Sequence, residues 1–441
     1  MCAGSGSFWA PASAREKLSH DGSRAGCGPV IGGGGGERGG SNDERVESAD
    51  GSLEDGELAR TRAAGGAVVS TVEVREISLP REIPAFVRTW WRIYRGDPHW
   101  VPPLVSERKR FLDPTRNPYF ELADVRCFIA HRDGEAVGTI AATVDHNYQK
   151  HDPGMAFFGF FEFVDDLEVA RSLFETAARW LRDEKGMDRA MGPFNFTSNH
   201  EFGLMVDGFD SDPVVLNPHN ASYYEPIYQR LGLVRNMDWY AYWLNLTEGV
   251  PERIARLSAR FLERHPEVRL RMLDMKNFWR DVEQLHGIYD DAWEQNWAHV
   301  AMSPAEFRFV AGELKSVLEP RLCWIVEVEG EMAAMSISVP DVNPLVKKMN
   351  GRILPFGWLH MLGRGRKVEV LRMFALGVRQ KYQNMPLGVC IYVRTWQEAL
   401  AMGLRGSEAS LILEDNHRMR GVLEKMGGRI HKTYRTFEKS L

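Results

Sequence analysis

The chain has 441 residues, 44% of them hydrophobic and 26% charged, with a formal net charge of −5. That composition is ordinary for a globular protein, and the length sets a prior of two or three domains, each large enough to bury a core. The net charge excludes a global basic field for nucleic acid or an acidic membrane, and no apolar run approaches the ~18 residues that a spanning helix needs. The five cysteines (Cys2, Cys27, Cys127, Cys323 and Cys390) include no CxxC pair. That usage fits a reducing cytosol and argues against a disulfide framework or a zinc ribbon. The N-terminus lacks a basic segment followed by an apolar core. The expectation is a cytoplasmic protein with no nucleic-acid and no membrane partner and no metal.

Residues 1–66 hold 16 of the 41 glycines, including the run Gly32 to Gly36. Such a stretch cannot bury enough apolar surface to offset its ordering entropy, so a disordered leader is expected. Order begins near Val72. Val72 to Leu79 alternates as a strand does, and Ile83 to Tyr94 has the period of an amphipathic helix. Cys127 to His131 and Ala136 to Val144 flank Asp133-Gly134-Glu135, which predicts a hairpin. Met155 to Val164 is an aromatic-rich strand. Asp165, Asp166 and Glu168 then mark an acidic N-cap that opens a helix running to Lys185.

The second half repeats this plan. Phe128 to Glu135 is similar to Trp324 to Glu331, offset by 196 residues. Asn220, ahead of a helix ending at Leu231-Gly232, matches Asn416, ahead of one ending at Met426-Gly427. Tyr240 and Tyr242 match Tyr434 and Phe437 in a closing strand. Two markers with nearly one spacing imply a duplicated domain. The expected division is a leader over 1–66, a first domain over 67–248 and a second over 249–441. Val250 to Glu267 reads as a helical connection. Arg269 to Met275 is predicted as a strand, Phe278 to Trp297 as a helix, and Ser303-Pro304-Ala305-Glu306 as a capping box. Pro344 to Arg366 has no counterpart in the first copy and is expected to form helices over the sheet.

Each unit therefore reads strand, helix, helix, hairpin, strand, helix, strand, helix, strand. That order, with the Asn-led helices Asn220 to Gly232 and Asn416 to Gly427, resembles the GNAT superfamily of acyl-coenzyme A-dependent acyltransferases. The tandem arrangement is similar to the Fem peptidyltransferases, mycothiol synthase and N-myristoyltransferase. Tyr94-Arg-Gly-Asp-Pro-His-Trp-Val-Pro-Pro103 and Gly159-Phe-Phe-Glu162 resemble phrases of an uncharacterised bacterial GNAT-like group. The implied fold class is α+β (mixed α/β): two tandem GNAT folds, each a mostly antiparallel twisted sheet flanked by helices.

The resemblance implies a site for the donor's pyrophosphate, a loop of backbone N–H groups capped by a helix N-terminus. In the second copy the strand ending at Gly377, Val378 and Arg379 leads into such a loop, with Gln383 and Gly388 at motif positions and Asn416 heading the later helix. Pro386 stands where the family has Gly and removes one donor. In the first copy the strand runs almost directly into an acidic helix start, which repels phosphate. The resemblance further implies Tyr228 as the acid that protonates the leaving thiolate, and Glu369 as a base, or alternatively a solvated edge carboxylate. The polar run Asn195, Asn199 and Glu201 either lines a substrate cleft or bonds its own loop backbone. A metal reading of His200 and Glu201 lacks further ligands. The implied function is N-acyl transfer from acetyl-CoA or another acyl-CoA to a small-molecule amine. The alternative is a non-catalytic GNAT-like protein that binds a small ligand.

Overall fold

The computed structural model describes residues 71–294, 296–363 and 367–441. The expected leader, 1–66, lies outside the described residues. The described part belongs to one compact unit. Its first half runs β1 (Glu73–Glu76), α1 (Ile83–Ile93), α2 (Val105–Phe111), β2 (Ala123–Arg132), β3 (Glu135–Asp145), β4 (Met155–Phe163), α3 (Leu167–Arg179) and β5 (Arg189–Gly192). Short strands β6 (Phe194–Asn195), β7 (Glu201–Phe202) and β8 (Leu204–Asp207) follow, then α4 (Tyr224–Arg230) and β9 (Val234–Asn245). The second half runs α5 (Glu252–Arg264), β10 (Val268–Met272), α6 (Phe278–Trp293), α7 (Pro304–Leu314), β11 (Cys323–Val328) and β12 (Glu331–Pro340). It closes with α8 (Asn343–Met349), β13 (Val370–Val378), α9 (Leu387–Ala401), β14 (Gly406–Leu413), α10 (His417–Lys425) and β15 (Arg429–Ser440).

The local signals act as chemistry requires. Asp133 and Gly134 both take positive φ (53° and 78°), the conformation of a tight hairpin turn between β2 and β3. Glu329 and Gly330 do the same between β11 and β12 (52° and 84°). The Asp166 side chain caps α3 by accepting from the amides of Glu168 and Val169, and Ser303 caps α7 through the Glu306 amide. The helical connection appears as α5.

The strands of the main sheet lie in the order β1-β2-β3-β4-β5-β15-β9-β14-β13-β12-β11-β10, with β8 also paired to β15. The closing strands are exchanged. β15, the last strand in sequence, pairs with β5 of the first half, while β9 pairs with β14 of the second. β15 and β9 pair with each other along most of their length. Separating the halves would break four ladders, β15 with β5, β8 and β9 and β9 with β14, so each half depends on a strand from the other for its sheet. Both faces are covered in each half. In the first, Leu173 and Phe174 of α3 pack on Phe158, Phe161 and Phe163, and Phe86 and Trp90 of α1 pack on the other face beside Phe160. In the second, Phe278, Val282 and Leu285 of α6 cover one face, and Ile391 of α9 packs on Val326 and Val378 across the other.

The segment after α8 departs from expectation. Instead of lying wholly over the sheet, it presents Leu354, Phe356 and Leu362 to solvent. No helix among the described residues is long and apolar enough to cross a membrane.

Candidate active site

The site begins with a local irregularity in β4. The register between β3 and β4 shifts so that Phe160 and Phe161 face one residue, Ile140. Phe160 has φ 44°, a β-bulge that bends the strand. β4 and β5 are parallel and pair only from Met155 to Phe157. Beyond that point they part. The Asn195 side chain spans the opening, its Oδ1 accepting the Phe160 amide at 2.6 Å, while the Phe160 carbonyl accepts the Thr139 hydroxyl at 2.8 Å. The approach is tight enough that a Cβ on Gly159 would lie 1.7 Å from the Phe194 carbonyl oxygen.

The opening is a small cleft lined among others by Glu162, Asn195, His219, Asn220, Tyr224 and Tyr228. Glu162 is the charged residue of an otherwise apolar strand. Its Oε2 accepts the hydroxyls of Tyr94 (2.5 Å) and Tyr224 (2.8 Å). Burial is the dominant influence and pushes its carboxyl up to about 7, against these two hydrogen bonds. The Tyr228 hydroxyl is buried and has no hydrogen-bond partner. Burial, followed by the charge of Glu162, holds that phenol well above its ordinary value, so it stays protonated. His219 Nε2 lies 2.8 Å from Asp97 Oδ2, and its Nδ1 is buried without a partner. Burial lowers the imidazole despite Asp97. A neutral ring donating from Nε2 to Asp97 leaves the Nδ1 lone pair free. The site thus contains an imidazole nitrogen and a phenol hydroxyl without partners beside a carboxyl pushed up to about 7, among aromatic side chains.

The sequence-derived candidates divide between the halves. Tyr228 and Asn195 line this cleft. Glu201 pairs in register with Asn195 and forms an ion pair with Arg108. Asn199 turns to the second half, donating to the Val300 carbonyl (2.8 Å) and accepting the Tyr289 hydroxyl (2.5 Å). Those two partners belong to neither the cleft lining nor the loop's own backbone. Glu369 is exposed, and its backbone carbonyl accepts the Arg405 amide at 2.7 Å. It lies in the second half, away from Tyr228.

The loop residues stand at the end of β13. Gly377 is covered by α6, since a Cβ there would meet the Trp293 ring at 2.2 Å. Gln383 donates weakly to the Val378 carbonyl at 3.5 Å. α9 begins at Leu387 with no side-chain cap, so the amides of Leu387, Gly388 and Val389 form an uncapped N-terminus. Arg379 Nε is buried without a partner. Against these donors, the Gln380 amide is already bonded to the Asp291 carboxylate at 2.7 Å. The equivalent end of α3 is closed by Asp166, which is itself paired with Arg132. Asn416 caps α10 through the Met419 amide at 3.0 Å. Among the described residues no cluster of His, Cys, Asp and Glu could hold a metal.

The second half has a matching polar centre. β13 and β14 pair only from Val370 to Met373, with a register shift opposite Phe374. Here the gap is filled by the Val214–Asn217 segment of the first half. Arg372 donates to the Val215 carbonyl at 3.0 Å, and Asn217 donates to Glu408. Glu408 also bonds His431 at 2.7 Å. Burial would raise Glu408, but His431, Arg372 and Ser410 outweigh it and hold the carboxyl low.

Sequence reasoning did not assign Glu162, Tyr94, Tyr224, Asp97 or His219 to the site. The signal was present for three of them. Glu162 interrupts an aromatic strand, and Tyr94, Asp97 and Glu162 all belong to the two phrases that resemble a bacterial group.

Over 378 residues the chain is 35% identical to "Bacterial ceramide synthase" of Caulobacter vibrioides (strain NA1000 / CB15N), covering 84% of this chain and 98% of that protein. This chain belongs to the family of that bacterial ceramide synthase. Protein YghO of Escherichia coli (strain K12) is 28% identical over 376 residues, covering 83% of this chain and 95% of that one. No family model matches the chain. The fold is similar to the GCN5-related glucosamine N-acetyltransferase region of a fungal multi-domain GH3 beta-N-acetylglucosaminidase, with TM-score 0.52 and 12% identity over 85% of this chain. The chain spans 39% of that longer protein. It is also similar to a tandem GNAT protein from the clavulanic acid biosynthesis pathway, with TM-score 0.50 and 12% identity, covering 84% of this chain and 98% of that one. These likenesses establish the mixed α/β GNAT acyltransferase fold for this member of the ceramide synthase family.

Proposed function

We propose that the protein transfers an acyl group from a coenzyme A thioester to the amine of a long-chain amino alcohol or its relative, forming an amide of the ceramide type. The carrying observation is the first-half cleft, which His219 and Tyr228 both line beside Glu162, the His219 Nδ1 and the Tyr228 hydroxyl being buried without hydrogen-bond partners. The identity to the Caulobacter protein supports the substrate class.

The chain's own groups suit that step. An ammonium must lose a proton before it can attack, and His219, oriented by Asp97, offers the acceptor. The nitrogen then bonds to the thioester carbonyl carbon and the carbon–sulfur bond breaks. The departing thiolate takes its proton from the Tyr228 hydroxyl, and Tyr228 regains one from the second proton that the attacking nitrogen sheds as the amide forms. The aromatic walls of β4 exclude water that would otherwise hydrolyse the thioester. The uncapped start of α9 is the candidate for the donor's phosphates, because Asp166 occupies the equivalent end of α3.

The test is direct. Purified protein is incubated with palmitoyl-CoA and sphinganine or its 3-keto form, free thiol is followed colorimetrically, and the lipid product is identified by mass. Amide formation with one thiol released per amide is expected. Tight binding of either compound without turnover would favour the binding-protein reading instead.

A further inference from the structure

Six of the 11 strongly exposed large apolar side chains among the described residues fall within ten positions, Ile353 to Leu362. Leu354 is 75% exposed, Phe356 71% and Leu362 55%. A soluble surface scatters such residues singly, so their clustering calls for an explanation. They do not belong to a slack loop. Trp358 donates its amide to the Ile353 carbonyl at 2.9 Å, closing a short turn, and Gly357 to Met361 form a 3-10 helix. Gly357 sits where a Cβ would lie 1.9 Å from the Arg352 carbonyl oxygen, so the turn is tight.

The base of this knob is fastened to the first half. Trp91 Nε1 donates to Asn350 Oδ1 at 2.7 Å, and the Val105 amide donates to the Gly351 carbonyl at 3.1 Å. Leu345 and Met349 of α8 are buried beneath it. The knob therefore has an inner side anchored to the first half and an exposed apolar outer side.

Its charge differs from that of the chain. The chain is net negative, yet residues 342–368 contain six Lys and Arg and no Asp or Glu. Lys348, Arg352 and Lys367 are exposed beside the apolar tip. Basic residues around protruding aliphatic and aromatic side chains match an interface whose outer layer is anionic and whose interior is hydrocarbon.

We propose that this knob docks the protein on an anionic lipid bilayer, with Leu354, Phe356 and Leu362 entering the acyl layer and Lys348, Arg352 and Lys367 meeting headgroup phosphates. The whole-chain charge, which argued against a membrane partner, averages this segment away. Docking does not depend on the transfer chemistry, and it is read without any acyl donor or amine.

The full chain is floated with vesicles of phosphatidylcholine alone and of equal parts phosphatidylcholine and phosphatidylglycerol. Binding to the anionic vesicles is expected, with weaker binding to the neutral ones and a decline as salt rises. The double variant Leu354→Ser/Phe356→Ser should bind the anionic vesicles at least tenfold more weakly. Lys348→Glu/Arg352→Glu should lose the preference for anionic over neutral vesicles. All four side chains are exposed, so both variants should melt with the wild type, which is checked by calorimetry. Failure of the wild type to float, or unchanged binding by the first variant, overturns the proposal. So does a wild-type dimer in light scattering that Leu354→Ser/Phe356→Ser dissociates, because the patch would then be an interface between copies.

Discussion

Replacing Glu162 by Gln isolates the consequence of setting a carboxyl inside an aromatic strand. Burial raises Glu162 from the ordinary 4.5 to about 7, although Tyr94 and Tyr224 donate to its charged form. The folded protein therefore keeps a proton that the unfolded chain releases. Stability contributed by this group is full below the unfolded value and falls as pH climbs toward the folded one. At 1.36 kcal/mol for each tenfold displacement, the charged form costs about 3 kcal/mol once the pH exceeds 7. Glutamine has the same shape, accepts both tyrosine hydroxyls at its amide oxygen and never ionises. Glu162→Gln should match the wild type near about pH 4 and exceed it by about 3 kcal/mol near about pH 8. Urea unfolding followed by tryptophan fluorescence at a series of pH values measures this difference. Glu306 and Asp341, pushed up to about 8 and about 7 by burial, weaken the wild type over the same window, but they are common to both proteins and cancel. An advantage that is constant with pH, or that shrinks as pH rises, would refute the reasoning and mean that Glu162 is charged in the folded state.

Tyr228→Phe should lower kcat by ~100-fold or more while leaving stability within about 1 kcal/mol, because the hydroxyl it removes is buried without a partner; steady-state kinetics and thermal melting check both parts. Gly388→Asp places a carboxylate in the uncapped first turn of α9 and should weaken acyl-CoA binding at least tenfold, or about 1.4 kcal/mol. Calorimetry on a variant that melts normally tests it, and unchanged affinity would move the donor phosphates away from α9. Residues 67–248 and 249–441 expressed as separate pieces should each be insoluble or unfolded, since each lacks the strand that closes its sheet, and should recover solubility when co-expressed. Either piece giving a sharp melt alone would show that the exchanged strands are dispensable.

The sequence by itself determined the local elements and their duplication. Hairpin turns at Asp133-Gly134 and Glu329-Gly330, the Asp166 and Ser303 caps, and the periods of α1 and α3 depend on residues a few positions apart, so they can be read along the chain. The family resemblance was likewise carried by contiguous phrases. The exchange of β9 and β15 was decided only in three dimensions. The two closing strands have similar patterns, and nothing local distinguishes pairing with one's own half from pairing with the other. The site followed the same rule. Tyr228 was legible because a helix motif marks it, whereas His219 gains its free nitrogen only when Asp97 reaches it from 122 positions away. Glu162 carries its proton to about pH 7 for the same reason. Its acidity is set by the aromatic walls that close around it, and burial is a property of the folded chain rather than of any stretch of sequence.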